Sequence, residues 1–277
     1  MALAFFSRAL VVVRGGGDLG SGVIYRLHRA GFPVIVTERA TPLLVRRTVC
    51  YGEAVYSDSI TIGSVMAQRV DTPADALELV ESGIIPVLVD EDDSALVALK
   101  PVVAVDARMQ KVNLGTTIAD APLVVALGPG FNAGVDCHAV IETNRGHDLG
   151  RVIEDGPAEP DTGEPGAVGG QTHSRVLRAP AAGHIVALAE IGDTVEAGQT
   201  IAQVDGAPVV AAFRGVLRGL IHERVYVTSG MKIGDLDPRA RREHCVTISD
   251  KSLAIGGGVL EAVFSSGQVR PFLAVAP

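Results

Sequence analysis

The chain has 277 residues, 47% of them hydrophobic and 20% charged, a balance that supports a sizeable buried core and excludes a disordered segment. The formal charge of −8 and the lack of a long basic block argue against a nucleic-acid partner, because counterion release has little to work with. Three separated cysteines with no CxxC pair exclude a disulfide framework and a zinc site, so no metal is expected.

Aromatic residues are only 4% and tryptophan is absent, so the core must be built from Val, Ile, Leu and Ala. That composition suits buried parallel strands. Met1 to Leu10 carries one arginine and runs straight into a strand, too short an apolar stretch for a signal peptide. No apolar run reaches membrane-spanning length, and the expectation is a soluble cytoplasmic protein with no membrane partner.

Ala9 to Val13 reads as a strand, Gly20 to Ala30 as a helix stopped by Gly31, and Pro33 to Thr37 as a second strand. Thr72-Pro73 with Asp75 predicts an N-cap, a proline at N1 and a helix to about Ser82. Ile84 to Val89 (strand), Asp92 to Leu99 (helix), Pro101 to Val105 (strand) and Leu123 to Leu127 (strand) continue the alternation. The expected fold class is α/β, a Rossmann-like doubly wound parallel sheet, followed by a small all-β domain. Asp155 to Gln171 holds three prolines, five glycines and four acids, and reads as a linker or surface loop.

Beyond it Gly183, Val195, Gly198 and Ile201 recur 32 residues later as Gly215, Val227, Gly230 and Ile233. The duplication predicts two interlocking four-stranded halves, and with "IGDTVEAGQTIAQV" it resembles the biotinyl/lipoyl barrel-sandwich fold over roughly Arg175 to Pro238. A carrier of that fold presents a lysine on the hairpin between the halves. Here the hairpin is Val204-Asp205-Gly206-Ala207-Pro208, and Lys232 lies elsewhere, so docking rather than a swinging arm is expected. The boundaries read as 1–154 for the nucleotide-binding domain, 155–173 for the linker, 174–246 for the barrel-sandwich and 247–277 for a tail. That tail, with Gly256-Gly257-Gly258, could pack as a short helix on the first domain.

Gly15, Gly17 and Gly20 form a GxGxxG between a strand and a helix, within the run Gly15, Gly16, Gly17, Asp18, Leu19, Gly20. Such glycines let backbone approach a pyrophosphate while the helix N-terminus supplies N–H donors. Glu38 ends the second strand, where a carboxylate accepts from a ribose; Arg39 beside it could receive a 2′-phosphate. Asp90, Asp106 and the Gly128-Pro129-Gly130 turn fall at carboxyl ends of other strands, the ligand edge of an open α/β sheet. For Asp90 or Asp106 alone, helix capping or loop solvation is the simpler account. Asp136, Cys137, His138, Glu142, Arg145 and His147 follow as further ligand candidates. If His138 to Thr143 is a strand, His138 and Glu142 share a face and Cys137 points away. Cys137 reads as a buried thiol before it reads as a nucleophile or sulfur acceptor.

On "RGGGDLGSG", "TERATPLLVRRTVCYGEAVY", "ALGPGFNAGVDCHAVIETNRGHDLGRVI" and "ISDKSLAIGGGVLEAV" the chain resembles the accessory proteins of selenium-dependent molybdenum hydroxylases, over nearly its whole length. The resemblance implies maturation of a molybdenum hydroxylase, a client enzyme as partner, and a dinucleotide cofactor, either NAD(P) or molybdopterin dinucleotide. It supplies no catalytic residues, and whether a reaction is catalysed stays open, as does self-association. The alternatives are an NAD(P)-dependent oxidoreductase and a non-catalytic scaffold with a structural glycine loop.

Overall fold

Valine and isoleucine, stiff at χ1, fit a pleated sheet buried on both faces, and the aliphatic runs of the first half become its strands. A computed structural model describes residues 4–161, 163 and 170–274, and the chain divides into two units. The first comprises Met1–Ala40, Tyr51–Asp161 and Ile248–Pro277.

In chain order this unit carries β1 (Val11–Arg14), α1 (Asp18–Arg29), β2 (Val34–Glu38), α2 (Ala54–Ser57), β3 (Ser59–Ile62), β4 (Val65–Val70) and α3 (Pro73–Glu81). There follow β5 (Ile85–Val89), α4 (Ser94–Leu99), β6 (Val103–Asp106), β7 (Leu123–Leu127), β8 (Asn132–Ala133), β9 (Ala139–Ile141), β10 (Val152–Ile153) and β11 (Gly156–Pro157). A terminal helix, Asp250–Ser265, completes it. Among the described residues the main sheet has nine strands in the order β10-β9-β7-β6-β1-β2-β5-β4-β3.

From β1 the chain passes to β2, then out to β3 at the edge, comes back inward through β4 and β5, and lays β6 on the other side of β1. The order therefore reverses between β1 and β6. Val11 and Val13 face one core with Val23, Leu27, Ile255 and Val259, from α1 and the terminal helix. Val12 and Ile35 face the other with Ala76, Val80, Leu96 and Leu99, from α3 and α4. Thr72 caps α3 by accepting from the Asp75 N–H at 3.2 Å, and Ser249 caps the terminal helix by accepting from Ser252 N–H at 3.2 Å.

The expectation of a doubly wound parallel sheet followed by a small barrel-sandwich domain requires correction. The sheet is mixed, because β3/β4 and β9/β10 pair antiparallel at its two edges. Ile62 opposes Val65 across Gly63-Ser64, a two-residue turn that can only return the chain antiparallel. Nor does the second unit simply follow the first: it takes Thr41–Cys50 from between β2 and α2, as well as Thr162–Thr247. Part of the expected linker, residues 162 and 164–169, lies outside the described residues. Its earlier portion belongs to the first unit, where β11 pairs with β8 and Ala158 is buried.

The second unit holds β12 (Val176–Arg178), β13 (Gly183–Ala187), β14 (Thr194–Val195), β15 (Thr200–Val204), β16 (Ala207–Val210), β17 (Gly215–Leu220), β18 (Tyr226–Val227) and β19 (Lys232–Asp237). They form two antiparallel sheets, β12-β19-β17-β14 and β16-β15-β13-β18. Advancing β12 to β15 by 32 residues gives β16 to β19, and each sheet draws strands from both copies of the repeat.

A chain of ions, buried except for the exposed Arg239, runs through this unit. Asp235 pairs with Arg175 at 2.7 Å and Arg218 at 2.6 Å, and Asp237 pairs with Arg239 at 2.6 Å. Burial alone would raise the Asp237 pKa, but the Arg239 side chain and backbone N–H, with Arg218, outweigh it and hold it at about 2. A carboxyl depressed below its unfolded value of about 3.9 stabilises the fold above that pH and loses its contribution as pH falls to about 2. Asp237→Asn is therefore expected to cost about 2 kcal/mol at pH 7 in urea unfolding. The gap from wild type should close by about pH 2, and a gap unchanged between pH 7 and pH 2 would contradict the assignment.

Candidate functional site

The carboxyl ends of β1, β2 and β6 meet at one edge of the sheet, where the order reverses and open α/β sheets bind ligands. Gly15 has φ +101°, which only glycine adopts without strain, and a Cβ there would lie 3.0 Å from the Ala107 carbonyl oxygen. At Gly16 a Cβ would lie 2.5 Å from the Gly52 nitrogen. Beneath the loop the Gly16 carbonyl accepts from Gly52 N–H at 2.9 Å and from Ser21 Oγ at 3.1 Å. The turn is thus clamped from below and runs directly into α1.

Gly17 is the N-cap of α1, extended at φ −71° and ψ −172°, and carries no capping side chain. The first N–H groups of a helix have no intrahelical acceptor. Gly17, Asp18 and Leu19 are half-buried, whereas Gly15, Gly16 and Gly20 are buried, so the loop opens at its helix end. Asp18 already lies in the first turn and accepts from Ser252 Oγ at 3.1 Å.

Glu38 accepts from Gly16 N–H at 2.9 Å and from Arg39 N–H at 3.1 Å. Burial raises its pKa against those two bonds. The acid read as a ribose acceptor also fixes the loop, and its remaining lone pairs are what it can offer a ligand.

Beside the loop stands a charged cluster. Arg14 is buried and in register with Asp106 across the β1/β6 pair. Its guanidinium donates from Nε to Asp93 at 3.1 Å and from Nη2 to the same carboxylate, and from Nη1 to Thr116 Oγ1 at 2.8 Å. Asp120 lies 3.5 Å away. Arg108 donates to Asp106 at 2.6 Å, to Thr116 at 3.0 Å and to Asp93 at 3.1 Å, and Thr116 donates on to Asp106 at 2.6 Å. Burial works against charge on Asp106, yet Arg108 and Thr116 hold its pKa below the usual carboxylate range. Asp93, Arg108, Thr116 and Asp120 escape a reading of the sequence. The available signal is an arginine ending the valine strand of β1 and an aspartate ending β6, two buried ions that each need a partner.

The other sequence candidates are placed apart from this cluster by their bonds. Asp90 accepts from Ala95 N–H at 3.3 Å at the start of α4, and burial raises its pKa. Gly128 donates to the Ile141 carbonyl at 2.9 Å, and a Cβ at Gly130 would lie 2.6 Å from backbone of Lys111 and Val112. Asp136 accepts from Asn132 N–H at 2.8 Å, closing its own turn. His138 Nδ1 accepts from Val124 N–H at 3.0 Å, and burial lowers its pKa. Glu142 accepts from Asn144 N–H at 2.6 Å and from Glu159 N–H at 2.8 Å, so His138 and Glu142 are spent on different backbone groups. Arg145 holds Asp250 at 2.9 Å, and His147 is exposed. Cys137 is buried, and burial with Asp136 pushes its thiol up to about 12, the environment of an inert sulfur. Among the described residues no three His, Cys, Asp or Glu side chains group as metal ligands. No described helix is long and apolar enough to cross a membrane.

No protein-family model matches the chain. Over 254 residues it is 49% identical to the uncharacterized protein YqeB of Escherichia coli K12, a match covering 92% of this chain. The chain spans about half (47%) of the length of that curated relative. Solved structures that align include an aspartoacylase family protein from Mesorhizobium loti, 13% identical over 83% of this chain and 84% of that one, TM-score 0.25. A second is succinylglutamate desuccinylase/aspartoacylase from Rhodobacter sphaeroides, 17% identical over 83% and 85%, also at TM-score 0.25. The expectations of a biotinyl/lipoyl-like domain and of molybdenum-hydroxylase maturation are corrected here: the two solved structures named above are aspartoacylase and desuccinylase proteins.

Proposed function

We propose that the first unit binds a nucleotide-bearing ligand of the dinucleotide class, with its phosphates against the Gly15–Gly20 loop. The carrying observation is Gly17, an N-cap that offers no side chain to the first N–H groups of a 12-residue helix, at the point where the strand order reverses. The helix dipole adds positive potential at those donors. Around them the bonds are already committed: Arg14, Arg108, Asp93 and Asp106 satisfy one another, and His138 and Cys137 are held in backbone contacts or buried. Such a site holds a ligand rather than transferring protons. Delivery of that ligand to an enzyme that uses it, through the β unit, accompanies the proposal. The hairpin between the repeats turns through Asp205 at φ +48° and Gly206 at φ +76° with no lysine to modify. Cys137 and Cys245, buried as thiols, suit a reducing cytoplasm as the place of work.

Gly17→Asp tests the site. The backbone there already suits aspartate, which caps a helix slightly better than glycine does, so stability should hold or rise by a few tenths of a kcal/mol. Its carboxylate would take the N–H donors and repel phosphate. A thermal-shift panel of NAD, NADP, FAD, CTP and molybdopterin cytosine dinucleotide is the measurement. A binding dinucleotide at 100 times its Kd should stabilise wild type by about 2.7 kcal/mol, and the variant not at all. A flat wild-type response across the panel would favour a structural glycine loop.

A further inference from the structure

We propose that Arg14 and Arg108 form an anion receptor for a phosphate of the ligand, on which the Asp93 carboxylate sits until that phosphate displaces it. The inference rests on the nucleotide reading above and adds the side chains that take the charge.

Three carboxylates share the two guanidiniums, and they are not alike. Asp106 is 1% exposed, ends a central strand, and is held by Arg108 and Thr116. Asp120 is turned toward its own loop, accepting from Thr117 N–H at 3.2 Å and Thr117 Oγ1 at 2.6 Å, and reaches Arg14 only at 3.5 Å. Asp93 is neither buried nor on a strand. Its side chain is 39% exposed, and its backbone stands at φ +62°, a region that favours glycine or asparagine. It precedes α4, yet its side chain makes no capping bond to that helix.

Asp93 is therefore the carboxylate that water can reclaim at least cost, while Arg14, with its side chain 4% exposed, cannot leave. When Asp93 swings out, Nε and Nη2 of Arg14 and Nη1 of Arg108 lose their common acceptor. Three charge-assisted donors then converge on one point, a geometry that suits phosphate oxygens. Arg14 immediately precedes Gly15, so this point lies at the strand end of the glycine loop.

The test is isothermal titration of the full chain with inorganic pyrophosphate, and separately with the dinucleotides, at fixed ionic strength. Wild type is compared with Asp93→Asn and Asp93→Gly. Both replacements suit the left-handed backbone, so loss of the fold in one leaves the other to read. Each is expected to bind pyrophosphate at least tenfold more tightly than wild type, and Arg108→Gln added to either should abolish the gain. Equal or weaker pyrophosphate binding in both variants overturns the receptor. Dinucleotide binding by wild type that the two variants leave unchanged also overturns it, while leaving the glycine loop as the ligand site. A pyrophosphate gain in a protein that binds no dinucleotide supports the receptor and removes the nucleotide.

Discussion

Arg14→Met is expected to destabilise the first unit by about 2–4 kcal/mol in urea unfolding. Breaking a buried ion pair typically costs about 3–5 kcal/mol, because the stranded partner stays desolvated. Here the groups that lose Arg14 are Asp93, which keeps Arg108 at 3.1 Å, and Asp120; their side chains are 39% and 20% exposed and can recover part of their hydration. Thr116 Oγ1 loses one of two donors but keeps its bond to Asp106. Methionine fills most of the arginine volume, so the cost reads the lost ion contacts rather than a cavity. Arg14→Lys, a point charge without the planar fork, should recover only part of the loss. A methionine variant within about 0.5 kcal/mol of wild type would mean that the cluster contributes no net stability.

Gly256→Ala and Gly257→Ala are expected to change stability in opposite directions, although they are neighbours in one helix. On helix propensity alone, each gains up to about 1 kcal/mol. At Gly257 nothing lies within 4 Å of the added methyl, and the gain should appear nearly whole. At Gly256 the methyl would lie 2.5 Å from the Gly22 carbonyl oxygen and 2.8 Å from its carbon, backbone atoms of α1 that cannot swing aside. Gly22 faces Ser252 in the same way, so the two helices touch backbone to backbone. Separating them costs about 1–3 kcal/mol of overpacking strain, with loss of contacts along the seam, and Gly256→Ala should be net destabilising by about 2 kcal/mol. Two variants of like sign would show that the seam is looser than this packing.

The glycine loop and the acid that ends β2 were legible because their chemistry is local: strand, turn, helix and carboxylate follow within 28 residues, from Val11 to Glu38. The 32-residue duplication was legible for the same reason, since Gly183 and Gly215 mark equivalent strand starts. What the chain order hides is everything that a crossover creates. Arg14 meets Asp93, Arg108 and Thr116 only because β6 returns to the far side of β1. The β3/β4 hairpin was missed because Ser59 to Ile62 is a half-exposed edge strand, not the aliphatic run that marked the others. Thr41–Cys50 joins the second unit through contacts distant in sequence, such as Val45 against Gly219, which no local pattern announces. The Gly256-Gly257-Gly258 run is a poor helix former in isolation. It is helical here because the glycines at 256 and 258 let backbone approach closely, at Gly22 and at Gly150.

The most direct test of the phosphate site is an amide chemical-shift titration of isotope-labelled protein with the dinucleotide that gives the largest thermal shift. The expected result is that the Gly17, Asp18 and Leu19 amides move first and furthest, with Gly16, whose N–H is already held by Glu38, moving less. Saturable shifts that leave those three amides unmoved and gather on another part of the chain would contradict phosphate binding at the N-terminus of α1.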